Sequence, residues 1–351
     1  MNTRFQELRR STWSMPDGKQ KLAVLEEMIR VADRYMTEEE AYQARMDYSN
    51  AAPECGCPER MLVSFSWCLK KFEDNPGNYS NFYIMWHYKW VLGYVWRLPE
   101  LSLEQIERVF EDFKEKCHTY GYSLRVYYQK RLNFMLWQGK MAEAAECYKS
   151  WRAAKRDSLS DCSACEQNMF GSYHFAIGHH KKGLQSLRPI LEGKMSCRSV
   201  PQNTYSEMML PLLKLGEYDR ATETAKKAYR FIKGPSYLEE YGTFLQFFTV
   251  TDMPKAVKLY EQTVGLGLGS KLGWDRLQYF VSVRIFLKEW SRTRRRKKLA
   301  ESELVTLGWL DQEISRLVQA FNRRNGNSFV EEWIREKEKV AARLQSAYGT
   351  A

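Results

Sequence analysis

Cys162 and Cys165 form a CxxC pair, and Cys197 follows 32 residues later. Thiolates in such an arrangement are the ligands that Zn²⁺ takes, and three of them could share one ion if the chain brings them side by side. Asp161, His174 and the Cys55-Gly56-Cys57 pair are candidates for a fourth ligand. The plainer alternative is that all three are buried or helix-capping thiols. A metal held this way would fasten structure rather than catalyse, and no cofactor is otherwise required. A redox role for the CxxC would need a strand–helix–strand setting that the surrounding residues do not supply.

Other residue groups suggest binding rather than turnover. Aromatic side chains crowd the stretch from Trp67 to Trp96, and helical spacing sends most of them to a core. Trp86, His87, Lys89 and Trp90 cannot all face one way, so some should line a groove fit for an extended peptide or a partner helix. Tyr122, Arg125 and Tyr128 continue that face, which makes Trp86, Lys89, Trp90, Tyr122, Arg125 and Tyr128 the candidate partner-binding set. A basic run holds Arg292, Arg294, Arg295, Arg296, Lys297 and Lys298. Such a run could grip an acidic partner, a nucleic-acid backbone or an anionic surface; the plainer and favoured reading is a solvated loop or helix end. Residues 265–270, Gly-Leu-Gly-Leu-Gly-Ser, lack both the preceding strand and the spacing of a phosphate-binding loop and read as a turn between repeats. The histidines stand singly apart from His179-His180, and no Ser/His/Asp or HExxH arrangement occurs, so an enzyme is not expected.

The elements that must position these residues are helices. The 351-residue chain is 44% apolar, too rich for disorder, and its 10 prolines and 20 glycines leave long uninterrupted windows of period 3.6. No alternating β-type stretch is present. Eight cysteines in a chain able to build a large core read as free thiols. The net charge is +11, and the run at 292–298 accounts for more than half of it. Residues 1–10 are too polar for a secretory signal, and no window is apolar enough to span a membrane. A cytoplasmic location is the expectation.

The helices repeat. Gly216 is followed by Tyr218, Ala221, Ala225 and Ala228; the same frame runs through Gly139, Met141, Ala144, Tyr148 and Trp151. It returns at Gly178, His180, Gly183, Leu187 and Ile190, and at Thr251, Met253, Ala256, Tyr260 and Thr263. An earlier copy reads Gly56, Pro58, Met61, Phe65 and Cys68, and a looser one Ile106, Phe110 and Phe113. Turn positions 139, 178, 216 and 251 stand 39, 38 and 35 residues apart. A small residue closes one helix, a small residue lets the next approach it, and apolar residues bury the seam. Each pair then needs its neighbours to complete a core.

This frame resembles the tetratricopeptide repeat across roughly residues 49–264, with a period longer than the usual figure of about 34. Phe65-Ser66-Trp67-Cys68-Leu69, Trp86-His87-Tyr88-Lys89-Trp90 and Asp161-Cys162-Ser163-Ala164-Cys165 are also similar to phrases in a group of bacterial tetratricopeptide proteins. The resemblance implies an all-α superhelix of antiparallel helix pairs and a bacterial source; it supplies no activity. The expected organisation is a capping helix in 1–36 that begins near Gly18, repeats over 37–266, and a C-terminal region over 267–351. That last region should hold a helix from Leu272 to Trp290, the basic run, and two helices near 304–324 and 328–348 with charged outer faces.

Three functions fit. The first is a non-enzymatic scaffold that holds a peptide or partner protein in a concave groove. The second is a peptide-responsive regulator of the kind found among bacterial pheromone receptors. The third is a nucleic-acid-associated protein using residues 292–298.

Overall fold

Helices start where a side-chain oxygen meets the amides of a first turn. Thr37 and Glu40 cap one helix reciprocally, as do Ser102 and Gln105, and Ser80 and Thr306 cap two more from one side. The computed structural model describes residues 3–293, Leu299 and residues 305–349, and among these there is no strand. The chain divides into two compact units. One comprises 1–160 with the short segments 234–236 and 270–273; the other comprises 161–233, 237–269 and 274–351. The division falls inside the stretch read as repeats.

The first unit contains α1 (Thr3–Ser14), α2 (Lys19–Tyr35), α3 (Glu38–Glu54), α4 (Glu59–Asp74), α5 (Asn81–Tyr94), α6 (Leu103–Thr119), α7 (Arg125–Trp137) and α8 (Met141–Ala153). The second contains α9 (Ser163–Ala176), α10 (His180–Ser186), α11 (Arg188–Leu191), α12 (Gln202–Lys214), α13 (Tyr218–Tyr229) and α14 (Leu238–Thr251). It continues with α15 (Met253–Gly269), α16 (Gly273–Thr293), α17 (Leu307–Asn325) and α18 (Phe329–Tyr348). Neighbours in sequence pack as pairs: α3 with α4, α5 with α6, α7 with α8, α9 with α10, α12 with α13, and α14 with α15.

The expected turns fall between the helices of these pairs. Gly56, Gly139, Gly178 and Gly216 all take φ between 73° and 83°, the left-handed conformation cheap only for glycine. At each, the next amide reaches back five residues: Cys57 to the Ala52 carbonyl, Lys140 to Met135, His179 to His174, and Glu217 to Leu212, at 2.8–3.0 Å. This is the Schellman closure. The turn after α14 has no glycine; there the Asp252 carboxylate accepts the Lys255 amide at 3.2 Å. On the second helices the small and apolar residues of the frame are buried, among them Ala144, Trp151, Ala221, Ala225, Ala228, Ala256 and Tyr260.

Two expectations are corrected. The chain does not wait until Gly18 to become helical: α1 buries Phe5, Leu8 and Thr12 and packs on α2. Residues 265–269 are not a turn but the last helical residues of α15. Gly267 is there because a Cβ would stand 2.4 Å from the ring of Tyr279, so the glycine lets α16 approach α15. Arg276 then donates to the carbonyls of Gly267 and Leu268 at 3.0 and 2.7 Å, satisfying the helix end with a cation.

First helices of successive pairs are also cross-linked to one another. Tyr122 donates to Asn81 at 2.8 Å in the first unit; in the second, Asn168 donates to Glu207 at 3.0 Å, Gln278 to Glu239 at 3.2 Å and Gln246 to Ser282 at 2.6 Å. These partners lie 36 to 41 residues apart, about one repeat step.

Candidate partner-binding site

The six residues expected to grip a partner do not form a charged face. Lys89 is 0% exposed: its Nζ donates to the Leu159 carbonyl at 2.9 Å and lies 3.2 Å from the centre of the Trp86 ring. Arg125 is 7% exposed and donates to the carbonyls of Trp151 and Ala154, at 2.9 and 2.6 Å, closing the end of α8. Both cations therefore face inward and cannot meet a partner, because buried charge is held only where carbonyls or rings replace water. Trp86, Trp90, Tyr122 and Tyr128 are half-buried. Trp90 packs near His87, Tyr128 near Tyr127, and Tyr122 spends its hydroxyl on Asn81.

A polar row that sequence patterning missed lies in the second unit. Its first helices α9, α12, α14 and α16 stand side by side: α12 packs on α9 and on α14, and Gly242 of α14 lets Ser282 of α16 come close. On them sit Asn168, Ser172, Glu207, Glu239 and Gln278. Asn168 and Ser172 both donate to the Glu207 carboxylate, and Thr204 donates to Asn168. Glu207 keeps part of its surface yet stands deep among the helices. That desolvation lifts its pKa to about 7 despite the two donors, and the charge of Glu239 adds to the rise. The only signal in the sequence was a polar pair separated by one repeat, 39 residues for both Asn168–Glu207 and Glu239–Gln278.

The helix α18 packs on three of these helices, α12, α14 and α16. Tyr348 reaches the Leu213 carbonyl of α12 at 3.4 Å and packs its ring near Tyr218; Gln345 donates to Glu289 at 3.2 Å. Lys288 of α16 pairs with Glu338 at 3.0 Å, and the rings of Trp274 and Trp333 are 5.4 Å apart. Lys337 holds its ammonium 4.8 Å from the Trp333 ring centre. Desolvation, with the nearby Lys214 charge, depresses its pKa to about 8 against the opposing pull of Glu239. So α18 is more than the charged cap its sequence suggests: its outward Glu331 and Glu332 are exposed, while its other side is seated on α12, α14 and α16.

The three cysteines of the CxxC-plus-one set do come together. Their Sγ atoms all lie within 4.8 Å of one another, and Cys165 and Cys197 stand 3.5 Å apart. Neither Asp161 nor His174 joins the group, and Cys55 and Cys57 belong to the other unit. Cys162 is the N-cap of α9 and its sulfur accepts the Cys165 amide at 3.4 Å. Burial would raise the Cys197 thiol, but the Ser199 amide, the two neighbouring thiols and the Val200 amide outweigh it and leave the pKa lowered. Burial and the same neighbouring sulfurs push Cys165 strongly the other way.

Of the basic run, Arg292 ends α16 and pairs with Glu289 at 2.6 Å; Arg294, Arg295, Arg296, Lys297 and Lys298 lie outside the described residues. Among the described residues no helix is long and apolar enough to cross a membrane. No protein-family model matches the chain, and no curated protein matches it.

Proposed function

We propose that this chain is a tetratricopeptide-like scaffold, without catalytic activity, whose second unit binds a peptide or a segment of a partner protein along the row formed by α9, α12, α14 and α16. The observation that carries this reading is the geometry of the row: Asn168 and Ser172 of α9 both donate to the Glu207 carboxylate of α12, and Gln278 of α16 donates to Glu239 of α14. Burial also raises the pKa of Glu207 and lowers that of Lys337 on α18. Ionisable groups displaced this far by burial tend to mark sites of binding or chemistry. With no nucleophile–base pair beside them, binding is the simpler use. The seated α18 supports the same reading, because it is an example of a helix held on this row by hydrogen bonds and aromatic contacts.

The test is affinity capture from a nuclease-treated lysate of the native cells, with the wild-type chain beside the double variant Glu207→Gln, Glu239→Gln. The expected result is one stoichiometric protein or peptide on the wild type, held about tenfold or more weakly by the variant, since a charged hydrogen bond contributes roughly 1.5–3 kcal/mol. Equal capture by both would remove the row as the binding site. A partner lost on nuclease treatment would instead favour nucleic acid and the 292–298 run.

A further inference from the structure

We propose that Cys162, Cys165 and Cys197 bind one Zn²⁺ ion, with water in the fourth position. Sulfurs bound tetrahedrally at about 2.3 Å from zinc stand about 3.8 Å from one another. The three sulfurs here, with one separation of 3.5 Å and all within 4.8 Å, bracket that distance before any ion is added. A disulfide would bring one pair to about 2.05 Å, and all three cysteines are free thiols.

The backbone at Cys162 favours thiolate over thiol. The Cys165 amide points at the sulfur of Cys162 in the first turn of α9, where the positive end of the helix dipole also lies. The Cys197 amide donates to the Val200 carbonyl at 2.9 Å, closing a short turn that sets Cys197 beside Cys165. The Cys162 sulfur thus already accepts an amide hydrogen, the interaction that favours its ionised form. Three thiolates this close would repel one another, and a divalent cation between them removes that penalty. The half-buried position of Cys165 and Cys197 limits access to the ion, whereas Cys162 is exposed. The exposed side is therefore where the fourth ligand enters, and no further His, Cys, Asp or Glu among the described residues completes the group.

Binding would release the thiol protons to solvent, so affinity must rise with pH. The ion would fasten the loop before α12 to the start of α9, joining two successive helix pairs. This inference stands apart from the partner-binding reading, since it involves none of the residues of the polar row.

The full chain, purified with reductant and stripped by chelator, is titrated with Co²⁺ as a spectroscopic probe and then with Zn²⁺. The expected result is a thiolate-to-cobalt charge-transfer band saturating at one equivalent and bleached by Zn²⁺, with a higher melting temperature for the zinc form. Cys162→Ser and Cys197→Ser should each weaken binding at least tenfold, while Cys147→Ser in α8 should leave it unchanged. Because Cys162 is exposed, its variant is expected to fold, and circular dichroism checks this. An unchanged cobalt band in Cys197→Ser, binding weaker than millimolar in the wild type, or a Cys165–Cys197 disulfide in protein isolated without reductant would each overturn the proposal.

Discussion

Glu207 accepts hydrogen bonds from Asn168 and Ser172, yet burial still lifts its pKa from 4.5 to about 7. The folded state therefore retains a proton that the unfolded chain gives up. Its contribution to stability is complete below pH 4.5 and is lost as pH rises through 7. Lys337 acts in the opposite sense and in a separate window: its pKa is depressed to about 8, so its contribution is lost as pH falls through that value. Thermal melts between pH 5 and 7 should show the wild type losing stability with rising pH more steeply than Glu207→Gln. Parallel slopes would mean that Glu207 is not desolvated. Neither this carboxyl nor the buried cations were legible from sequence. A helical pattern gives no reason to bury a charge, and sequence spacing sets Lys89 and Arg125 on a groove open to a partner. What draws them inward are the carbonyls of Leu159, Trp151 and Ala154, positioned only once a loop and the end of α8 pack against them. The closeness of the three cysteines could be read in advance because their spacing is a local signal at the starts of two successive repeats; that no fourth His, Cys, Asp or Glu among the described residues joins them could not.

At the scale of the helix, Gly265 and Gly267, two of the three glycines at the end of α15, should behave differently. Gly265 has open space around its would-be Cβ, so Gly265→Ala should stabilise the protein by about 0.5–1 kcal/mol through helix propensity alone. At Gly267 the same propensity gain meets the Tyr279 ring at 2.4 Å. That ring is fully buried and its hydroxyl is hydrogen-bonded to Thr263 at 2.8 Å, so it has little room to move. Overpacking of roughly 1–3 kcal/mol should win, and Gly267→Ala should lower the urea midpoint that Gly265→Ala raises. Equal effects would show that α16 yields freely. The helix ends were the most legible part of the fold, since a left-handed glycine such as Gly139 or Gly216 is a strong one-residue signal. The glycines of 265–269 misled because the same residue type serves close packing within a helix. The helix α1 was missed because its apolar stripe is only Phe5 and Leu8, too short to stand out from its charged neighbours.

At the scale of the molecule, the helix pairs could be counted from sequence because each is closed locally, whereas the seat of α18 could not. Its contacts join residues as far apart as Leu213 and Tyr348, 135 positions, and no periodicity encodes such a distance. If α18 covers part of the binding row, a chain ending after residue 326 should bind the captured partner about tenfold or more tightly than the full chain, or lose the fold of its second unit altogether. Calorimetry measures the first and circular dichroism the second; a folded truncation with unchanged affinity would separate α18 from the site. The same seat also sets an order in time. A ribosome working at roughly 5–20 residues per second delivers Leu213 about 7–27 seconds before Tyr348. In the later part of that interval, once Thr251 has been added, the row on α9, α12 and α14 has been made and α18 has not. On the proposed reading, a partner present during synthesis would meet the row open, while one arriving later would have to compete with a helix belonging to the same chain.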